Sequence, residues 1–436
     1  MQRYGFSTAI AIIIANMIGT GVFTSLGFQL IDIKSGFAIA ALWTIGGIIA
    51  LCGALCYAEL GAAIPRSGGE YTFLTRCYHP AAGFISGFVS ATVGFAAPIA
   101  LAAMTFAAYG TSVFGDTVPD AVRPALACLL VLLMAVAHSG KRGASGATQL
   151  LFTILKLGVI IAFCVAAPTL ADALQPVRFQ PVPADATVLL SGAFAVSLIY
   201  VNYAFQGWNA ATYISAELET PQKTVPLVLT IGALVVATLY VALNVVFLLV
   251  APVDALTGEI EVGFIAAEYA FGPTLAKATG LVMAALLIST VSAMTIAGPR
   301  VLHAMGEDFR AFRVLGAVND DGIPARAIYL QALIACAFIL TSSFETVLLF
   351  AGFTLSLNTF FAVLGLLVLR VREPGLERPF RATLYPAPMI IFLVLMGWTL
   401  VFTAIQRPAE IRFAGAVIIV GLIGYLVSGR RPRDSD

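Results

Sequence analysis

Few residues in this 436-residue chain could do chemistry, and their types narrow what that chemistry is. Lys156 stands in the middle of an apolar run, within Thr153-Ile154-Leu155-Lys156-Leu157-Gly158. A buried ammonium is costly, so an ionisable side chain in such a run points to function. The second feature is Ala15-Asn16-Met17-Ile18-Gly19-Thr20-Gly21-Val22-Phe23, near the centre of an apolar run over 6–31. Glycine costs about 1 kcal/mol in a helix interior. A helix that opens at Gly-Thr-Gly frees backbone N–H and C=O groups, which are tolerated at membrane depth only where they line a cavity or bind something. The N–H groups of the following half-helix would turn a positive dipole end toward an anion. The same glycines could instead mark a close-packed helix pair. Either way the chemistry is binding, not bond-making. The three histidines (His79, His138 and His303) are far apart, and no His-Glu-x-x-His helix, Ser/His pair or intramembrane carboxylate pair is present. The sequence therefore predicts no enzyme, and it implies no cofactor and no metal.

These residues need elements to hold them, and composition says which. The chain is 60% hydrophobic and 11% charged, against about 25% charged in soluble domains. Apolar runs longer than 18 residues recur throughout, which predicts an all-α membrane protein set in the lipid bilayer. Twelve transmembrane helices are expected near 6–31, 36–64, 81–114, 122–138, 146–170, 187–217, 225–251, 274–304, 326–342, 344–370, 386–406 and 411–428. The longest runs suggest tilted helices. With the N-terminus inside, Arg66, Arg76, Lys141, Arg142, Arg310, Arg313, Arg370, Arg372, Arg378 and Arg430 all fall on the cytoplasmic side. Few basic residues fall outside, which by the positive-inside rule puts both termini in the cytoplasm of a multi-pass protein of the cell (plasma) membrane. The first run is too long for a cleavable signal. A net charge of +1 gives no reason to expect a nucleic-acid partner, and the six cysteines lack metal spacing and read as small hydrophobes. Segment 65–80 reads as a glycine-rich cytoplasmic loop. Segment 252–270 is acidic and reads as short helices on the outer surface.

The sixth expected span carries a polar cluster like that of the first: Tyr200-Val201-Asn202-Tyr203-Ala204-Phe205-Gln206-Gly207-Trp208-Asn209. Interrupted spans at matching positions in two halves of a chain are the sequence mark of a secondary transporter, with its site at the interruptions. Scattered interhelical hydrogen-bonding residues are the plainer alternative. No selectivity filter argues for a channel, no P-loop for an ATP-driven pump, and no attached domain for a sensor.

Four motifs in order resemble the amino acid–polyamine–organocation (APC) superfamily, closest in character to its neutral amino acid permeases and exchangers. They are Ile18-Gly19-Thr20-Gly21-Val22-Phe23; Tyr57-Ala58-Glu59-Leu60-Gly61 with Ile64-Pro65-Arg66-Ser67-Gly68-Gly69-Glu70-Tyr71; Gly207-Trp208-Asn209 with Glu217 and Pro221; and Ala297-Gly298-Pro299-Arg300 with Gly322-Ile323-Pro324. The resemblance implies the leucine-transporter-like fold: two inverted five-helix repeats, 1–170 and 187–370, then two C-terminal helices over 386–428, with no separate soluble domain. It implies an amino acid substrate, with Thr20 and Gly21 donating to the carboxylate and the carbonyls of Met17, Tyr203 and Gln206 receiving the ammonium. Tyr203 also falls where an aromatic gate covers the substrate. Asn16, Asn209, Gly94, Ser292 and Thr354 are further candidate lining residues. Lys156 falls where sodium-coupled members of the fold hold a sodium ion. Two uses follow, as carrier of a coupling proton or as a permanently charged plug in an exchanger, and the sequence does not choose between them. No Asp or Glu lies deep in any span, and Asn209 stands where some exchangers of basic amino acids have Glu. A neutral amino acid is therefore expected, with symport or antiport left open. A cationic amino acid or small organic amine is the alternative. Glu59, Arg66 and Glu70 read as a cytoplasmic gate or loop anchor.

Overall fold

The computed structural model describes residues 5–66, 68–115, 118–140, 146–213 and 218–428. The motif residues Ser67 and Glu217 lie outside them. The described chain is helical, with no extended strand. Among these residues ten helices are long and apolar enough to cross a membrane, or eleven if one bent pair counts as a span.

The first span is interrupted. Helix α1 (Phe6–Met17) stops, Ile18–Thr20 is irregular, and α2 (Gly21–Asp32) begins anew. Helix α3 (Gly36–Ala63) is capped by Ser35, whose hydroxyl accepts from Ala38 N–H at 3.2 Å. The expected loop over 65–80 contains a helix of its own, α4 (Glu70–Cys77), which starts after two glycines with positive φ, Gly68 and Gly69. Glu70 sits in the first turn and Arg76 in the last, each on the side of the helix dipole that suits its charge. Burial, with Glu373 nearby, pushes the Cys77 thiol up to about 12, which keeps it protonated and unreactive.

The third expected span is not one straight helix. Helices α5 (Pro80–Val89) and α6 (Ala96–Ser112) are joined by a π-helical turn, Ser90–Gly94. Helices α7 (Val122–Gly140) and α8 (Gly146–Leu170) follow. The sixth expected span opens with α9 (Pro183–Leu189), bent by 64° from α10 (Gly192–Ala204). The chain then unwinds over 205–209 before a single turn, α11 (Ala210–Tyr213). Next come α12 (Pro221–Val250) and the short α13 (Val253–Leu256).

Helix α14 (Val262–Ala297) begins well before the run that predicted it, because its first turns form a separate helix that ends at Gly272, φ 79°. Gly298-Pro299 separates it from α15 (Pro299–Asp308), since proline removes a backbone donor. Helix α16 (Arg313–Gly316) is a single turn. Helix α17 (Ala325–Thr341) is apolar but only 17 residues long. Helices α18 (Phe344–Arg372), α19 (Ala387–Gln406) and α20 (Pro408–Ser428) complete the chain. Apolar side chains face outward along α7, α8 and α20, as a lipid-facing surface requires.

Candidate substrate site

The two interrupted helices lie against each other. Gly207 has φ +103°, and a Cβ there would sit 2.6 Å from the Asn16 carbonyl oxygen. Only glycine meets both demands. Conversely, a Cβ on Gly21 would come within 2.5 Å of Ala204 Cα. The glycines of the first motif thus do two jobs at once: they break a helix and they bring α2 onto α10. Gly19 has open space beside it, its nearest neighbour being the Met17 oxygen.

At the break the backbone is held from several directions. The Met17 carbonyl accepts from Gly19 N–H at 2.8 Å and from the Tyr240 hydroxyl at 2.6 Å. The Ile18 carbonyl accepts from Lys156 Nζ at 3.1 Å. Lys156 also donates to Thr290 Oγ1 of α14 at 2.8 Å and is buried, 4% exposed. Its ammonium is therefore inside the protein rather than drawn out to an interface. The Thr20 hydroxyl lies beside that of Tyr203, so the two interrupted segments also meet through side chains. The Tyr203 carbonyl accepts from Gln206 N–H at 2.9 Å. Beside the second interruption, Asn202, Gln206, Ala50, Thr359 and Met396 line a small cavity with Phe392 and Trp208.

The remaining expected lining residues lie on other helices, each with its own contacts. Gly94 lies in the π turn, with room only for a contact to Leu355 of α18. Ser292 is turned to His138 of α7, with oxygen and nitrogen 2.8 Å apart. Thr354 bonds back to the Phe350 carbonyl of its own helix. Asn209 donates to Glu70, whose carboxylate also accepts from the Tyr57 hydroxyl at 2.9 Å. Tyr57 in turn packs edge-on to Trp208, centroids 4.7 Å apart. Farther from the interruptions, Asp308 receives the Tyr71 hydroxyl and Arg66. Glu59 is fully buried and takes both nitrogens of Arg370 at 2.9 and 2.7 Å, Ala382 N–H at 2.8 Å and Arg378 at 3.4 Å.

Sequence reasoning missed Tyr240, Thr290 and Asp308. Tyr240 left a weak signal as an aromatic with a polar tip in the middle of an apolar run, followed by Asn244 one turn on. Thr290 and Asp308 left none, because their partners come from segments far away in the chain. Among the described residues no cluster of His, Cys, Asp or Glu could hold a metal ion.

A family model described as amino acid permease matches residues 4–425. The chain belongs to the amino acid permease family. It is 27% identical to the b(0,+)-type amino acid transporter 1 of Mus musculus over 98% of this chain and 88% of that one. It is 28% identical to the Asc-type amino acid transporter 1 of Mus musculus over 97% and 80% of the two chains. It is 26% identical to the large neutral amino acids transporter small subunit 2 of Oryctolagus cuniculus over 98% and 80%. This permease is thus a multi-span integral membrane transporter with an amino acid substrate, not an enzyme.

Proposed function

We propose that this permease is a secondary transporter that carries neutral L-amino acids across the plasma membrane by alternating access. Its architecture on this reading is twelve spans: inverted five-helix repeats over 1–170 and 187–370, helices over 386–428, and both termini in the cytoplasm. The observation that carries the reading is the mutual contact of the two interrupted helices, Gly207 on Asn16 and Gly21 on Ala204. Unwound backbone in the membrane interior needs partners, and an α-amino acid supplies both kinds. Its carboxylate suits the N–H groups of Thr20 and Gly21 at the start of α2. Its ammonium suits the carbonyls of Met17, Tyr203 and Gln206. Tyr203 covers the substrate. Asn16, Gly94, Ser292 and Thr354 approach its side chain once the helices move, and Asn209 closes the inner end through Glu70.

A neutral substrate is favoured because Glu70, the carboxylate bonded to Asn209 of the second interruption, is engaged by Asn209 and Tyr57 rather than turned to the unwound backbone. The name of the rabbit relative, for large neutral amino acids, points the same way. Lys156 is the coupling residue. Bound to the Ile18 carbonyl it steadies the break, and loss of its proton would weaken that hold by removing the charge from the bond.

The test is uptake of labelled alanine into liposomes, with and without an inward proton gradient and with or without unlabelled amino acid inside. Gradient-driven uptake into empty vesicles that is lost in Lys156→Ala supports proton coupling. Uptake only into preloaded vesicles, indifferent to pH, makes the protein an exchanger and Lys156 a fixed plug. If arginine or a small amine competes and no neutral amino acid does, the neutral reading fails and the cationic or amine reading replaces it.

A further inference from the structure

On the alternating-access reading above, we infer that Gly298-Pro299 is a hinge and that Gln331 is the positioning residue that latches it in its swung state. Proline has no N–H, so Pro299 leaves the Thr295 carbonyl without the donor that the next helical turn would supply. Gly298 N–H still bonds the Met294 carbonyl at 3.0 Å, and Val301 N–H turns to the Gly298 carbonyl at 3.1 Å. Yet Gly298 keeps helical angles, φ −58° and ψ −46°, and α14 and α15 run on as one span. The chain therefore passes through the break as a helix with a bond missing. A turn in that condition has less to break when it bends.

Gln331 of α17 lies against this turn. A Cβ on Gly298 would fall 2.0 Å from Gln331 Nε2 and 2.7 Å from its Oε1. The amide is buried, with the residue 2% exposed, and neither its nitrogen nor its oxygen has a partner among the described residues. A buried amide left unbonded lowers stability, and such groups are rare in folded proteins. A donor without an acceptor thus lies beside a helix turn that has an acceptor without a donor. A swing of α15 about Gly298 would join them, with Gln331 Nε2 donating to the Thr295 carbonyl. That bond belongs to the swung state alone, so it favours that state. The part that swings carries Asp308, whose carboxylate holds the Tyr71 hydroxyl and Arg66. It also carries Met305, which clusters with Phe84 and Phe309. The swing loosens those contacts, and the Gln331 bond offsets part of the loss.

Two substitutions test hinge and latch separately. Pro299→Ala restores the N–H and stiffens the turn. Gln331→Met keeps the length of the side chain and removes the amide. Thr403→Val is the control: it removes another buried polar atom that has no partner, on α19, which packs on α3, α10, α18 and α20. In alanine transport, Pro299→Ala and Gln331→Met are each expected to lower the maximal rate about tenfold with KM within about twofold, while Thr403→Val leaves both unchanged. None of the three should lower the thermal midpoint in detergent, because each removes a helix breaker or an unbonded polar atom from this state. Hydrogen exchange of the peptide over 299–308 is expected to slow about tenfold in Pro299→Ala, a readout that needs no transport. A maximal rate within about twofold in Gln331→Met overturns the latch. So does a lowered midpoint in that variant, which would mean that the amide is satisfied where it lies. An equal loss of rate in Thr403→Val also overturns it, since general stiffening would then be the cause. Unchanged exchange in Pro299→Ala overturns the hinge. If exchange slows as expected but the unmutated protein carries no amino acid, the hinge stands and the transport reading is what has failed.

Discussion

Gly21 and Gly207 have no room for a methyl group, and the reason differs between them. At Gly21 the obstacle is the Ala204 backbone; at Gly207 it is the Asn16 carbonyl together with a positive φ. Overpacking a close contact typically costs about 1–3 kcal/mol. Gly21→Ala and Gly207→Ala are both expected to reduce uptake at least tenfold, with the protein still eluting as a folded species from a sizing column. Gly19→Ala is the contrast: open space lies beside that residue, so uptake should stay within about threefold. Wild-type uptake in Gly21→Ala would show that the contact does not matter for transport. Asn209 makes a different claim. Its amide reaches Glu70, so Asn209→Ala leaves a buried carboxylate short of one partner, at a cost of about 1–3 kcal/mol. On the proposed reading it acts as part of the inner closure. Asn209→Ala should therefore change transport rate more than substrate selectivity, read as the ratio of alanine to leucine uptake.

The elements are tied together by a few buried polar groups, and Glu59 is the strongest of them. It lies on α3, yet its partners Arg370, Arg378 and Ala382 belong to the end of α18 and the segment after it. Arg370 also lies over the Tyr385 ring, 3.6 Å from its centroid, and Arg378 donates to the Glu373 and Leu376 carbonyls. Removing one partner of a buried ion pair costs about 3–5 kcal/mol, because the other charges stay buried. Glu59→Ala is expected to lower the thermal midpoint in detergent sharply. Glu59→Gln should fall between, since its amide oxygen still accepts from Ala382 N–H. Equal midpoints for Glu59→Ala and the unmutated protein would mean that α3 and α18 are held by apolar packing alone. The sequence left Glu59, with Arg66 and Glu70, as a cytoplasmic gate or a loop anchor; its partners here lie at the end of α18 and in the segment after it. The π turn at Ser90–Gly94 was not legible, because no residue type there distinguishes a π turn from an α-helical one and only packing selects the wider turn.

On the scale of the whole molecule, closure is distributed. On the side that the proposed topology puts outside, the Tyr109 hydroxyl donates to the Phe23 carbonyl and accepts from Gly263 N–H, while Gly258 N–H reaches the Gly27 carbonyl. These bonds fasten α2 to the segment around α13 and the start of α14. On the side that the proposed topology puts inside, the Tyr57–Glu70–Asn209 and Tyr71–Asp308–Arg66 groups join helices in the same way. Alternating access requires that one set opens while the other holds. Tyr109→Phe removes both outer hydroxyl bonds and should favour the outward-open state. A cysteine placed at Phe28 would then react faster with a membrane-impermeant maleimide, and an unchanged rate would show that the outer side is held by other contacts.

The sequence alone determined that the chain spans a membrane many times, because apolar runs of that length have no other stable setting. It also marked two places where a helix could be interrupted, because Gly-Thr-Gly and Gln-Gly-Trp-Asn are poor helix interiors, while leaving a close-packed glycine pair open as the other use of the same residues. The tertiary structure decided what those interruptions touch. That Lys156 reaches the Ile18 carbonyl, that Tyr240 reaches Met17 and that Asn209 turns to Glu70 each joins residues more than a hundred positions apart. Such pairings depend on how helices pack, and no local rule of spacing or propensity carries that information.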